Sequence, residues 1–432
     1  MSRLKAIAES TDPLLAEIPR CRICDNPNLE PVIDLGRQAV ASLFDDGRGE
    51  NRFDAPIPLE VVRCQARPGR RSCGFVQLRH TVAPQILYRD YGYRSGINTT
   101  MRRHLESLVR EIESTLPLRD GDFVVDIGAN DGTTLLAYRH PEIVRVGFEP
   151  SNVRPNQEHH GLIYIPRVFH RADVDALLPD RRARVVTSIA MFYDVDAPIQ
   201  FCREVFDLLA DDGIWVLEMG YLGAMLEHNS FDAICHEHLG YYSVETLHYV
   251  LEESGFELYD LQFNDANGGS MRCWIRKRLA GRTVSDEQRS RVAKALKDER
   301  DQGYHDPRRF EQFRKDVEVI RRELMGILER CRREGQRVFG YGASSKGNVL
   351  LQYCGIGPHH LVMIADRNPM KAGRLTPGTK IQIGTEAEAR AARPDYLLIL
   401  PWHFLAEFLE REQALRAGGT KFIVPFPQVR IV

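Results

Sequence analysis

Between Phe231 and Ser243 the chain gathers Cys235, His236, Glu237, His238, Tyr241 and Tyr242. A neutral histidine takes up a proton near physiological pH, and a neighbouring carboxylate holds its ring in one tautomer. The histidines stand at i and i+2, so they do not lie one helical turn apart as in the His-Glu-x-x-His zinc motif. The cluster fits a general base with an orienting acid, and the sequence does not say which ring faces a pocket. A polar loop with satisfied side chains is the bland alternative.

A second chemical stretch is Val124-Val125-Asp126-Ile127-Gly128-Ala129-Asn130-Asp131-Gly132. Apolar strand residues run into a Gly turn, and Thr133 opens a helical pattern. Glycines admit a close ligand, and a helix start offers free N–H groups. The spacing is Gly-x-x-x-Gly, not the dinucleotide Gly-x-Gly-x-x-Gly. Glu149 ends the next apolar strand, where an acid takes the two hydroxyls of a ribose. Together these point to S-adenosylmethionine, with Asp126, Gly128, Asn130, Asp131 and Glu149 as its candidate contacts. Ser188, on the fourth strand, is counted with them. So is Phe169, whose ring would stack on adenine or simply fill the core.

Cys21 and Cys24 form a Cys-x-x-Cys knuckle, and Cys64 and Cys73 follow. Four thiolates hold one tetrahedral Zn2+. The second pair is wider than usual, so the insert from Gln65 to Ser72 has to loop out. A structural metal suits a stretch of about 80 residues that shows little periodic core. The remaining five cysteines are scattered, which argues against a disulfide framework and for a reducing cytoplasm.

These sites need a scaffold, and 432 residues allow two to four domains. The net charge of −2 gives no sign of a nucleic-acid or membrane partner. No apolar run approaches a membrane span, and residues 1–17 lack the apolar stretch of a signal peptide. Met101 to Leu116 reads as an amphipathic helix with Leu105, Leu108, Val109 and Ile112 on one face. Seven strands follow, at 123–127, 144–149, 162–165, 185–190, 213–218, 256–263 and 270–276. The last two are joined at Asn267-Gly268-Gly269, so the reading is a parallel sheet with an antiparallel edge hairpin. Residues 288–334 carry apolar residues at helical spacing. Strand Arg337 to Tyr341 then meets a second Gly-rich turn, Gly342-Ala343-Ser344-Ser345-Lys346-Gly347-Asn348. Small residues and a lysine there form a cradle for a diphosphate, with Gly342, Ser344, Lys346 and Asn348 as contacts. A Rossmann-like domain kept for packing alone is the alternative. The expected fold class is α/β: a class I methyltransferase sheet (83–283) between a small zinc-binding domain (1–82) and a helical linker with a Rossmann-like domain (284–432).

Several motifs recur together in one family. They are the Cys-x-x-Cys start, Tyr-x-Tyr-x-Ser-Gly at Tyr91 to Gly96, Asp-x-Gly-x-Asn-Asp-Gly at Asp126 to Gly132, and His-Glu-His-Leu-x-Tyr-Tyr-Ser at His236 to Ser243. Asn-Gly-Gly-Ser at Asn267 to Ser270 and Gly-Tyr-Gly-Ala-x-x-Lys-Gly-Asn at Gly340 to Asn348 complete the set. Across nearly its whole length the chain resembles the sugar C-methyltransferases that act on nucleotide-linked 4-keto-deoxysugars. The resemblance implies that His238 removes the proton beside the ketone, with Glu237 and Tyr91 in the same pocket and His236 the rival base. Tyr93, Tyr241 and Tyr242 are then candidates for contacts to the enolate or sugar. Two stretches depart from the family's pattern and would face the acceptor. Cys235 stands where a Tyr is expected, and Ser188 to Asp194 replaces an Asn-x-x-x-His segment.

Carbon methylation needs a carbanion, and a carbon beside a ketone supplies one when its proton leaves. The expected partner is a small-molecule nucleotide sugar, the expected state a monomer or weak homo-oligomer, and the expected location the cytoplasm. Methylation of another acceptor, such as an oxygen or a non-sugar ketone, is one alternative. A zinc-bearing scaffold that holds a nucleotide sugar without turnover is another, and there the donor loop would be idle.

Overall fold

The computed structural model describes residues 15–46, 55–65, 73–88, 92–157, 159–278 and 283–432. Tyr91 and residues 66–72 of the insert before Cys73 lie outside them.

The strands, in chain order, are β1 (Leu15–Glu17), β2 (Leu29–Gln38), β3 (Ile57–Cys64), β4 (Val76–Leu78), β5 (His80–Val82), β6 (Phe123–Ile127), β7 (Val144–Phe148) and β8 (Leu162–Ile165). They continue with β9 (Ala183–Ile189), β10 (Leu209–Gly220), β11 (Gly240–Tyr241), β12 (Phe256–Asn264), β13 (Ser270–Lys277) and β14 (Val338–Tyr341). The last five are β15 (Ile364–Asp366), β16 (Ile383–Thr385), β17 (Tyr396–Ile399), β18 (Lys421–Val424) and β19 (Arg430–Ile431).

The central sheet has the order β12-β13-β10-β9-β6-β7-β8, and within it β13 runs against its two neighbours. This is the class I methyltransferase sheet. Its inner strand β6 is buried at every residue, as a parallel strand covered on both faces must be. The β12–β13 connection carries positive φ at Asn267, Gly268 and Gly269, which explains its Asn-Gly-Gly sequence. Ahead of the sheet runs helix α1 (Thr99–Thr115), capped by the Asn98 side chain and packed through Leu105, Leu108, Val109 and Ile112.

The cysteine-bearing region is more ordered than its sequence suggests. Strands β2, β3 and β4 form an antiparallel sheet, and β11, far along the chain, joins its edge: Gly240 pairs with Gln77 and Tyr241 with Val76. The apolar partners of this sheet come from elsewhere. Helix α2 (Asp286–Asp301) packs on β12, and helix α3 (Pro307–Arg333) lays Phe310, Phe313, Val317, Ile320 and Leu324 into a core shared with Val32, Leu35, Leu59 and Val61. The same core takes Phe231, Ile234, Cys235 and Leu239 of the histidine-bearing loop and Leu350, Ile364 and Leu398 of the last domain. That last domain is a sheet of order β16-β15-β14-β17-β18-β19, parallel up to its final strand, with helix α4 (Ser345–Cys354) after β14. No helix among the described residues is long and apolar enough to cross a membrane.

Candidate active site

A cavity of about 960 Å³ opens where the three regions meet. Its walls include Gly128, Ala129, Asn130 and Glu149 from the central sheet, Tyr88 from the cysteine-bearing region, Glu237 and His238 from the loop before β11, and Ser344 to Lys346 from the last domain.

The donor loop is built by backbone strain and hydrogen bonds. Gly128 and Gly132 both lie at φ +80 and Asn130 at φ +49. The amides of Gly128 and Ala129 both donate to the Phe148 carbonyl, at 2.9 and 2.8 Å. The loop therefore offers a ligand space rather than the free N–H groups expected from its sequence. Glu149 accepts from Asn130 N at 2.9 Å and Ser151 N at 2.8 Å. A carboxylate has about four lone-pair sites, so two remain for hydroxyls, and Glu149 lines the cavity. Phe169 lines it too, while also meeting Phe148 edge-on at 5.1 Å. These residues fit an adenosyl donor.

Three other donor candidates sit behind the wall. Asp126 is bound to Thr187 Oγ1 at 2.6 Å, and burial pushes it up to about 7. Its job is to tie β6 to β9. Asp131 accepts from Gly96 N at 2.9 Å and from Thr133, which pins the chain ahead of α1. Ser188 accepts from Trp215 Nε1 at 3.2 Å inside the core. Asn130 does line the cavity, and its side chain clips the preceding segment: Oδ1 accepts from Ser95 N and Nδ2 donates to Tyr93 O.

A side chain at Gly128 has nowhere to go, since a Cβ there comes within 2.9 Å of Met191 Cγ at a positive φ. Gly128→Val is expected to weaken S-adenosylmethionine binding by about tenfold or more, because a non-glycine in this conformation costs roughly 1–3 kcal/mol. Calorimetry that finds an unchanged affinity would refute this placement.

The two histidines diverge. His238 lines the cavity, and its Nδ1 lies 2.8 Å from the Ala233 carbonyl. That bond fixes the proton on Nδ1 and leaves Nε2 with its lone pair. Burial lowers the His238 pKa and the Lys346 charge adds to this, against the pull of Glu237. The Tyr193 ring packs against it at a tilt of 58°, with centroids 4.3 Å apart. His236 is 1% exposed and turns the other way, its Nε2 3.3 Å from the Ile57 carbonyl of β3. Both Glu237 oxygens are buried without a hydrogen-bond partner, and Glu237 faces the cavity.

Tyr241 and Tyr93 line the cavity, Tyr93 at 43% exposure. Tyr242 does not: its ring packs on Phe75 at 4.8 Å and Phe192 at 5.2 Å. In the last domain Ser344 caps α4 by accepting from Gly347 N, and Lys346 donates to the Asn267 carbonyl across the cavity. Asn348 turns away and donates to Ala41 O at 2.7 Å. Gly342 is required by Pro401, which a Cβ would meet at 2.6 Å. Both therefore pack the turn and do not line the cavity. Sequence reasoning passed over Tyr88, Tyr193, Asp194, Glu218 and His403, all in the wall. Of these, Tyr193 and Asp194 lay in a stretch already marked as unusual. His403 has its pKa lowered to about 3 by burial and the Lys346 charge.

The four cysteine sulfurs lie within 4.8 Å of one another, with Cys21–Cys73 and Cys24–Cys64 at 3.5 Å and Cys24–Cys73 at 3.4 Å. Four thiolates about 2.3 Å from a tetrahedral zinc stand about 3.8 Å apart, so the set fits the ion. Asn26 Nδ2 and Ile23 N point donors at Cys64 and Cys21, as an outer shell for thiolates does.

Three family descriptions match the chain in order: "Putative zinc binding domain" over 21–88, "Methyltransferase domain" over 98–261 and "C-methyltransferase C-terminal domain" over 265–427. The C-methyltransferase NovU of Streptomyces niveus is 31% identical over 426 residues, which is 97% of this chain and 98% of that protein. Among solved structures, the CurJ carbon methyltransferase is 17% identical, with a TM-score of 0.31 over 44% of this chain and 56% of that one. The mycolic acid cyclopropane synthase CmaA1, solved with SAH and CTAB, is 13% identical, with a TM-score of 0.32 over 45% and 91%.

Proposed function

The chain belongs to the C-methyltransferases, and from that premise we propose that it methylates a nucleotide-linked 4-keto-deoxysugar at the carbon beside the ketone, with His238 as the base. As a methyltransferase it depends on S-adenosylmethionine, and its Cys21, Cys24, Cys64 and Cys73 form the ligand set of a zinc domain.

The observation that carries the reading is the orientation of His238. Its Nδ1–H is committed to Ala233, so Nε2 remains free in the cavity that also holds Glu149 and Gly128. S-adenosylmethionine, when bound, supplies an electrophilic methyl group on a sulfonium. Everything else falls to side chains of this protein. His238 takes the proton from carbon, and the freed electron pair moves onto the ketone oxygen. Alignment of the resulting carbon with the methyl supplies roughly 7–11 kcal/mol of the barrier. The nucleotide half of the acceptor is assigned to the wall of Ser344, Ser345 and Lys346, where a cation meets phosphate.

Proton removal does not require methyl transfer. The wild-type enzyme, given a nucleoside-diphosphate 4-keto-6-deoxyhexose in deuterated water without methyl donor, is expected to place deuterium at the carbon beside the ketone. Mass spectrometry reads the exchange, and a sugar that stays unlabelled and is never methylated overturns the reading. Lys346→Ala is expected to weaken the nucleotide sugar by about ten- to hundredfold, since a hydrogen bond to a charged group contributes roughly 1.5–3 kcal/mol. Donor binding should be untouched, and a variant that loses both ligands or neither rules the lysine out of this role.

A further inference from the structure

We propose that Asp194, in its neutral form, is a further catalytic residue, donating a hydrogen bond to the acceptor's ketone oxygen as that oxygen becomes an enolate. This rests on the keto-acceptor reading above.

Asp194 ends the single turn Phe192–Asp194 that follows β9, and it lines the cavity. Its neighbour Tyr193 packs against the His238 ring, so the carboxyl group is one residue from a side chain in contact with the base. Asp194 Oδ1 and both oxygens of Glu237 are buried with no hydrogen-bond partner. These three oxygens share one cavity, in which the Tyr88 hydroxyl reaches the Asp194 carboxyl group and the Cys235 thiol lies against Glu237. The groups facing Asp194 are Cys235, Glu237, His238 and Tyr241 from the loop before β11, and Tyr88 from the cysteine-bearing region. The cations that line the cavity are engaged elsewhere: Lys346 with the Asn267 carbonyl, Arg22 with Asp196 at 2.9 Å and Arg20 with the Asp25 carbonyl at 3.2 Å.

Two carboxylates in such a place do not both stay ionised, and the proton goes to the one whose surroundings penalise charge more. Burial, and then the Glu237 charge, hold Asp194 well above the usual carboxylate range, and Tyr88 offsets only part of the rise. A neutral carboxyl gains an O–H donor. An apolar pocket that keeps a carboxylic acid neutral at pH 7 thereby makes a hydrogen-bond donor for an oxyanion.

The step balances without another reactant. His238 Nε2 forms a bond to the proton as the carbon–hydrogen bond breaks, and the electron pair delocalises onto the ketone oxygen. The Asp194 proton is shared with that oxygen but stays on the carboxyl group. When the carbon forms its bond to the donor's methyl group, the methyl–sulfur bond breaks and its electron pair stays on sulfur as a neutral thioether, the ketone re-forms, and the imidazolium releases its proton to solvent.

Two measurements test this. The infrared difference spectrum between wild type and Asp194→Asn at neutral pH should contain the carbonyl stretch of a neutral carboxylic acid. Its absence overturns the proposal without any acceptor being present. In the exchange assay, Asp194→Ala should fall by roughly 10²–10³-fold in turnover, as when an oxyanion donor is removed. Asp194→Asn keeps an N–H donor and should stay within about tenfold of wild type. Both should bind S-adenosylmethionine normally by calorimetry. An Asn variant as impaired as the Ala variant overturns the proposal and assigns Asp194 to an ionised carboxylate that meets a cationic acceptor. Asp194→Ala matching wild type overturns it alone, whereas a wild-type enzyme that neither exchanges deuterium into the sugar nor methylates it overturns the acceptor reading and this proposal with it.

Discussion

His238→Ala is expected to lose deuterium exchange and methylation together, by about 10²–10⁴-fold, while still binding S-adenosylmethionine. The two losses coincide if, as proposed, one nitrogen begins both reactions. Donor binding should persist, because Gly128, Asn130 and Glu149 are held by bonds within the central sheet, not by the histidine loop. The pH profile follows from the environment of His238. A base works deprotonated, and burial lowers its pKa, so the neutral form persists to a pH below the ordinary imidazole value of 6.5. Turnover should therefore hold through neutrality and decline only in more acid solution. His236→Ala is the control. It removes a buried contact to β3 and should reduce stability, leaving the folded fraction active. A dead His236→Ala enzyme beside a working His238→Ala enzyme would reverse the assignment.

Removing the metal is expected to stop acceptor chemistry before donor binding. Cys21→Ser, or chelation, should abolish zinc and cut turnover by about 10²-fold or more, since structural zinc contributes on the order of 10–16 kcal/mol to the fold it closes. The physical link runs through two contacts. Strand β4, just after Cys73, pairs with Gly240 and Tyr241, two residues beyond His238, and Leu78 N donates to Leu239 O at 3.0 Å. Arg22, inside the Cys-x-x-Cys knuckle, donates from its side chain to Asp196 at 2.9 Å and from its backbone N–H to Gln77 Oε1 at 3.1 Å. Loss of the ion frees both ends, so His238 and the Tyr193–Asp194 turn lose their mutual position. Elemental analysis, calorimetry for S-adenosylmethionine and turnover read the three effects. Metal-free enzyme with full turnover would show that the cysteine cluster has no hold on the site.

The parts of this arrangement that were legible in the sequence are those encoded locally. Five strands of the central sheet could be read because parallel strands covered on both faces are continuous apolar runs, and the other two from the Asn-Gly-Gly connection that pairs them antiparallel. The donor loop was legible from its Gly and acidic residues, and the apolar spacing of Leu105, Leu108, Val109 and Ile112 announced α1. What stayed hidden depends on partners distant in sequence. Asn348 belongs to a turn that looks made for phosphate, yet its amide serves Ala41, some 300 residues earlier. Asp126 and Ser188 stand at strand positions typical of ligand contacts, but their side chains are taken by Thr187 and Trp215. Strand β11 is two residues long and has no periodicity to detect. The choice between His236 and His238 turns on which carbonyl each ring meets, Ile57 or Ala233, and spacing carries no information about that.

The pairing of β11 with β4 also bears on how the protein is made. On the ribosome, Val76–Leu78 emerges roughly 160 residues before the Gly240–Tyr241 strand that covers it. Until then the small sheet has an open, apolar edge, the kind of surface that recruits another chain. The four cysteines, by contrast, are complete once Cys73 is out. Zinc capture is thus available early and fixes the half-built sheet, but closure must wait for the histidine loop. Because that closing contact spans so much chain, it forms late in folding. The base is therefore seated well after the zinc knuckle closes, and no nascent fragment short of Lys346, which donates to the Asn267 carbonyl across the cavity, carries a finished cavity wall.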